Sequence, residues 1–221
     1  VSGTDAIEIR GPLRSNVNMM AAPIDNDDPI VIQGTASGFA DNEYLVISDC
    51  ASATVFRATT VTPGSGSTTI THTTGNRDGL LAAAYGGDAL VMELATHTYF
   101  VGVTGRLNAS GQPVTALYRY EGSGTARELV DGVEDMQIVY AMDSDNDGTI
   151  DGYETAGAGV DLSAAVAVQV SLLMNSVEAA SAVAAPYTYF PSSSTAIDPG
   201  TGDYRLRQEF SSLISLRNAV L

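Results

Sequence analysis

Short alternations of apolar and polar residues, broken by turn formers, recur along this chain. The clearest spans 164–174, where Val166, Val168, Val170, Leu172 and Met174 share one face of an extended segment, the period-two signature of a half-buried strand. The same reading predicts strands at 43–47, 115–120 and 136–140, and shorter ones around Ile7 and Ile9 and at 30–32. The threonine and valine content of 52–61 predicts continued strand there. Segments 89–94 and 98–103 read as two strands joined by a turn near Thr96-His97. Segment 127–132 reads as a strand end or a helical turn, 187–190 as a short run, and 204–216 as a closing strand pair.

Turn chemistry fills the gaps. Gly11-Pro12, the Asp/Asn/Pro cluster at 25–29 and the cluster at 108–113 are breaks, and 191–203 is a loop. The Gly-, Ser- and Thr-dominated stretch 62–88 reads as a long loop or a weak hairpin. At least eight short strands and no long amphipathic helix predict a mainly β fold, taken as a single soluble domain over 1–221.

Between the strands at 136–140 and 164–174 lies Asp-Ser-Asp-Asn-Asp-Gly-Thr-Ile-Asp-Gly-Tyr-Glu, residues 143–154. It fills every slot of the twelve-residue calcium loop. Asp143, Asp145 and Asp147 take positions 1, 3 and 5. Gly148 allows the turn at position 6, and Thr149 offers its carbonyl at position 7. Asp151 binds at position 9, directly or through water, and Glu154 closes the site at position 12. Carboxylates this close repel one another unless a hard cation joins them; otherwise the segment is a solvated acidic turn. Because strands flank it, the loop lacks the helix pair of an EF-hand sensor, and a structural calcium ion is expected rather than a groove-opening switch.

Composition narrows the functions. Ten basic residues face 26 acidic ones, net −16, which argues against nucleic acid and against an anionic membrane as direct ligands. All ten are arginine. Without lysine, the run Gly64-Ser65-Gly66-Ser67-Thr68 is no Walker A loop, and Schiff-base chemistry is excluded. His72 and His97 stand outside any ligand-spaced motif and read as strand-surface residues. Cys50 is the sole cysteine, which leaves a missing partner, an intermolecular bond or a buried thiol open. The chain starts at Val1 without methionine, leader or apolar anchor, and reads as the excised soluble portion of something longer.

An ordered set of segments resembles the PilW family of type IV pilus minor pilins, relatives of the GspJ-type minor pseudopilins. They are LVISDCASATVF (45–56), THTYFVGV (96–103), ALYRY (116–120), RELVDGVEDMQIVYAMDSDNDGTIDGY (127–153), VAVQVSLL (166–173) and RQEFSSLISLRN (207–218). The resemblance implies a pilin-like globular domain of extended antiparallel sheets behind an N-terminal hydrophobic helix that is missing from this sequence. It implies a membrane-anchored subunit, held in the inner membrane with a periplasmic domain before assembly and carried to the extracellular pilus tip afterwards. Other minor pilins and a tip adhesin are the implied partners, and priming of pilus assembly, adhesion and twitching motility the implied roles. Members often carry a cysteine just after the helix, which offers Cys50 a disulfide partner.

Two other classes are weighed. A secreted, calcium-stabilised adhesion or carbohydrate-binding module would use Tyr187, Tyr189 and Tyr204 as a sugar platform, against the plainer reading of half-buried strand aromatics. An enzyme finds little support. No GxSxG surrounds a serine, Asp49-Cys50 has no neighbouring base, and spacing alone places no carboxylate pair across a substrate.

Overall fold

The computed structural model describes residues 3–35, 37–49, 51–72, 79–190 and 193–216. Its strands are β1 (Ala6–Met19), β2 (Ile30–Gln33), β3 (Tyr44–Ser48), β4 (Ala53–Arg57) and β5 (Thr60–Pro63). Then come β6 (Ser67–Thr71), β7 (Leu90–Leu107), β8 (Pro113–Tyr120), β9 (Arg127–Asp131) and β10 (Val133–Met142). The last are β11 (Gly152–Thr155), β12 (Ala165–Asn175), β13 (Tyr187–Tyr189), β14 (Ser193–Ile197) and β15 (Arg207–Ser215). The mainly β, antiparallel class expected from the alternation is what forms. Among the described residues, no helix is long and apolar enough to cross a membrane.

The chain groups into two compact units, 9–96 on one hand and 1–8 with 97–221 on the other. In the unit 9–96, β3 lies between β4 and the first residues of β7, while β6 lies between β2 and β5. Leu45, Val46 and Ile47 are all buried, so β3 is covered on both faces and loses the alternation of a solvent-facing strand. Its core gathers Met20, Ile30, Ile32, Leu45, Ile47, Phe56, Ile70, Tyr85 and Val91.

One expectation fails in this unit, that of His72, and two are sharpened. The stretch 52–61 is not continuous strand: β4 ends at Arg57 and β5 starts at Thr60. Of the two forms read for 62–88, part is a hairpin, since β5 and β6 pair across the Gly64–Gly66 turn, closed by the Gly64 N–H to the Ser67 carbonyl at 2.7 Å. Threonine made β6 look like loop, yet buried Thr68 donates its hydroxyl to the Gly34 carbonyl at 2.9 Å, which removes the cost of its burial. His72 is no surface residue. It is fully buried, its Nε2 2.8 Å from the Asp28 carbonyl and its ring edge-on to Phe56 at 5.9 Å.

The predicted turn at Thr96-His97 is absent, because β7 runs unbroken from Leu90 to Leu107. Its early residues pair with β3 and its later ones with β8. Two partners in succession give one strand the look of two.

In the unit of 1–8 and 97–221, the later part of β7 joins β8 and β9, and a second sheet runs β11-β10-β12-β15. Met136 and Ile138 of β10 lie opposite Leu172 and Val170 of β12. That face packs with Val101, Val133, Val168 and Leu117 into the unit's core, two apolar sheet faces closing on each other. The 204–216 pair is the single strand β15, and part of the 191–203 loop is β14, paired with β13.

A half-buried polar cluster fastens the start of β15. The Arg207 guanidinium, 5% exposed, grips Glu134 through Nε at 2.5 Å and Nη2 at 2.8 Å and reaches Asp203 at 2.6 Å. Arg205 joins with Nη2 at 2.8 Å from Asp203 and 3.3 Å from Glu134. The Tyr187 ring lies 5.1 Å beneath the Arg207 guanidinium. Hydrogen bonds from Arg205, then from Arg207, hold the Asp203 carboxyl well below the usual range. Burial opposes the charge on Arg207, but Glu134 and Asp203 more than offset it and raise the guanidinium.

Candidate metal centre

Alternation carries β10 to Met142 with its last residues buried, and the next residue begins the acidic loop. Met142 pairs with Gly152, so residues 143–151 close a β10–β11 hairpin. Two backbone bonds pin its base: the Asp143 N–H to the Ala164 carbonyl at 2.9 Å and the Asp151 N–H to the Met142 carbonyl at 2.8 Å. Asn146 and Gly148 take positive φ, 59° and 86°, the left-handed conformation that asparagine tolerates and glycine adopts freely.

Inside the loop, carboxylates and backbone organise each other. Asp143 is 7% exposed, and its two oxygens accept the N–H of Asp147 at 3.1 Å and of Gly148 at 2.9 Å. The Ser144 N–H donates to Asp151 at 2.8 Å. Asp147 Oδ1 accepts the hydroxyl of Thr149 and, at 2.8 Å, its N–H; the hydroxyl and then the amide hold this carboxyl below its ordinary value.

Of the predicted ligands, Asp143, Asp145 and Asp151 converge. One oxygen from each lies within 4.8 Å of the others. Oxygens on opposite sides of a calcium ion at 2.3–2.6 Å stand about 4.6–5.2 Å apart, so the donor set suits that ion. Asp147 stays outside the group, turned to Thr149. Thr149 is exposed beside it. Glu154 also stays outside, on β11 opposite Tyr140, where it lines a shallow cleft with Ser144, Asp151 and Asp161. Asp161 went unread in the sequence because it follows the motif with no ligand spacing; its carboxyl is held low by the N–H of Ser163, 2.9 Å away.

The other candidate residues scatter. Tyr189 is buried with its hydroxyl donating to the Ser171 carbonyl at 3.0 Å, Tyr187 lies under Arg207, and Tyr204 is 41% exposed. With Tyr189 buried, the three do not make a common sugar platform. Asp49 Oδ1 accepts the N–H of Ala51 and Ser52, a local turn. Cys50 lies outside the described residues. His97 is half-buried within β7.

Comparison with known proteins gives one finding. The family model described as Type IV Pilus-assembly protein W matches residues 98–218, more than half of the chain and every strand from β8 to β15. No curated protein matches.

Proposed function

The chain belongs to the type IV pilus-assembly protein W family, and from that premise we propose that it is a minor pilin, a structural subunit that helps prime the pilus at its tip. In this reading the subunit waits anchored in the inner membrane, with its β domain in the periplasm. It then leaves in the pilus alongside other minor pilins and a tip adhesin. The match over 98–218 carries the reading. Deleting the gene tests it: surface pili and twitching should be lost and restored by the full-length protein, and unchanged piliation would sink the proposal.

The hairpin loop holds a calcium ion whose work is structural. Supporting this is the convergence of Asp143, Asp145 and Asp151 at motif positions 1, 3 and 9. Asp143, Asp145 and Asp151 would hold the ion, with Asp147, Thr149 and Glu154 as the motif's further ligands, and the ion would supply the positive charge that lets the carboxylates stay together. Modest affinity is enough outside the cell, where such loops work with Kd on the order of 10⁻⁴ to 10⁻³ M.

A further inference from the structure

The sheet β11-β10-β12-β15 guards one margin, and among the described residues no strand pairs with the other. On the β10 side, β11 pairs with Val139–Met142. Ahead of it, the Asp5 N–H donates to the Met136 carbonyl at 2.8 Å. Thr4 Oγ1 and Asp5 Oδ2 then accept the N–H groups of Met136 and Ile138 at 3.0 and 2.8 Å. On the β15 side, no strand pairs among the described residues.

β15 follows β12 through nine consecutive pairs without a register shift. The Leu206 carbonyl accepts the Ser176 N–H, and the Leu216 N–H donates to the Val166 carbonyl. Antiparallel ladders alternate, so even-numbered residues direct their backbone groups toward β12, and Ser211, Leu213 and Ser215 direct theirs away from it. Natural edges are blunted by shortness, bulges, proline or lysine. β15 has none of these. Its charged residues, Arg207 and Glu209, stand at its start, engaged by Glu134 and Asp203 and by the Phe190 N–H. Beyond them Phe210, Leu213 and Ile214 are 56, 50 and 54% exposed.

We propose that the Ser211–Ser215 edge receives an extended strand from a different, less acidic pilus subunit, added to the sheet by backbone hydrogen bonds. The added strand would bond to the outward groups of 211, 213 and 215, and its alternate apolar side chains would continue the face of Phe210 and Ile214. A second copy is disfavoured because each chain carries net −16. The class of partner rests on membership of the pilus-assembly family and not on the calcium reading.

The test uses the full-length protein in its own cell, with photoreactive benzoylphenylalanine in place of Leu213, with and without Ser211→Pro. Proline at 211 deletes an outward N–H and spares the backbone ladder to β12, while removing the hydroxyl that accepts from Gln169 Nε2 at 2.9 Å and Ser171 Oγ at 3.1 Å. The expected result is a crosslink to an extended segment of a different pilin. Ser211→Pro should lower crosslink yield and surface pili roughly tenfold, the scale of one lost backbone bond and a misfit neighbour. If proline lowers the melting temperature, Leu213→Lys, which changes an exposed side chain, should give the same loss. A crosslink to a second copy or to this chain's own preceding segment overturns the proposal, as does normal piliation in a variant that folds. Gene deletion separates the two levels: intact pili on deletion overturn the family role and the partner class together. Pili lost on deletion but normal in the edge variants overturn the edge alone.

Discussion

Asp143 Oδ2 accepts the backbone N–H of Gly148 at 2.9 Å, which joins the first carboxylate of the acidic loop to its tightest turn. The bond fixes the loop's curvature from a residue that is itself 7% exposed. Calcium should therefore stabilise a loop already near its bound shape. Thermal unfolding in calcium should rise over chelator, by about 2.7 kcal/mol at a hundredfold excess over Kd, with magnesium giving less. Replacing Asp143 and Glu154 together by alanine should remove the calcium-dependent shift; an equal shift in that variant would refute the site.

Glu154→Ala alone separates two versions of the site. If Glu154 closes the ion from β11, calorimetric titration should show weakened calcium binding. If the three converging aspartates suffice, affinity stays as in the wild type while Asp145→Ala weakens it.

The Asp203 carboxyl gives an acid limb. Its folded pKa lies below its ordinary 3.8, so its contribution is full above that value and fades as pH falls through the folded pKa. Asp203→Asn leaves the buried Arg207 side chain and the half-buried Arg205 short of a partner and should cost on the order of 3 kcal/mol at pH 7. In urea titrations, the gap between the two proteins should close as pH drops below about 4. A gap independent of pH would contradict the assignment.

Tyr189 acts at the other end of the scale. Burial first, then nearby Asp135, raises its phenol above its ordinary 10. Stability is therefore complete below that pH and lost as pH climbs past it. Tyr189→Phe deletes the bond to the Ser171 carbonyl and should cost about 1 kcal/mol at pH 7. Between pH 10 and 12 the variant should lose less stability than the wild type, read by chemical denaturation.

Gly132 joins β9 to β10 at φ 78°, and an added Cβ would sit 2.7 Å from the Asn175 carbonyl oxygen. Gly132→Ala therefore combines strain with a backbone clash and should destabilise by about 1–3 kcal/mol. Gly148→Ala meets only the strain, since nothing lies within 4 Å of its added Cβ, and should be the milder of the two in the same melting assay.

Strands with one wet face were readable, β10 and β12 above all, because burial on a single face leaves alternation behind. Strands that rely on other means were not. Thr68 is buried through its hydroxyl bond, and β7 pairs first with β3 and then with β8. Segment 127–132 took the strand form of its two readings as β9. The loop's run of oxygen-bearing residues was legible because the twelve-residue calcium motif sets them at fixed intervals. Which oxygens gather was not. Asp147 is drawn to Thr149, and the pairing of β11 sets the place of Glu154. His72 misled because an imidazole facing a backbone carbonyl and a ring edge is content indoors.

β15 is clamped at its start by the grip of Arg207 on Glu134 and Asp203. Proton exchange should trace that asymmetry as a comb. Amides of even-numbered residues, turned to β12, should exchange slowly, and those of Ser211, Leu213 and Ser215 fast. The slow set should weaken with distance from Arg207. A strand read this way behaves as a spring leaf bolted at its root, with its compliance gathered at Ser215.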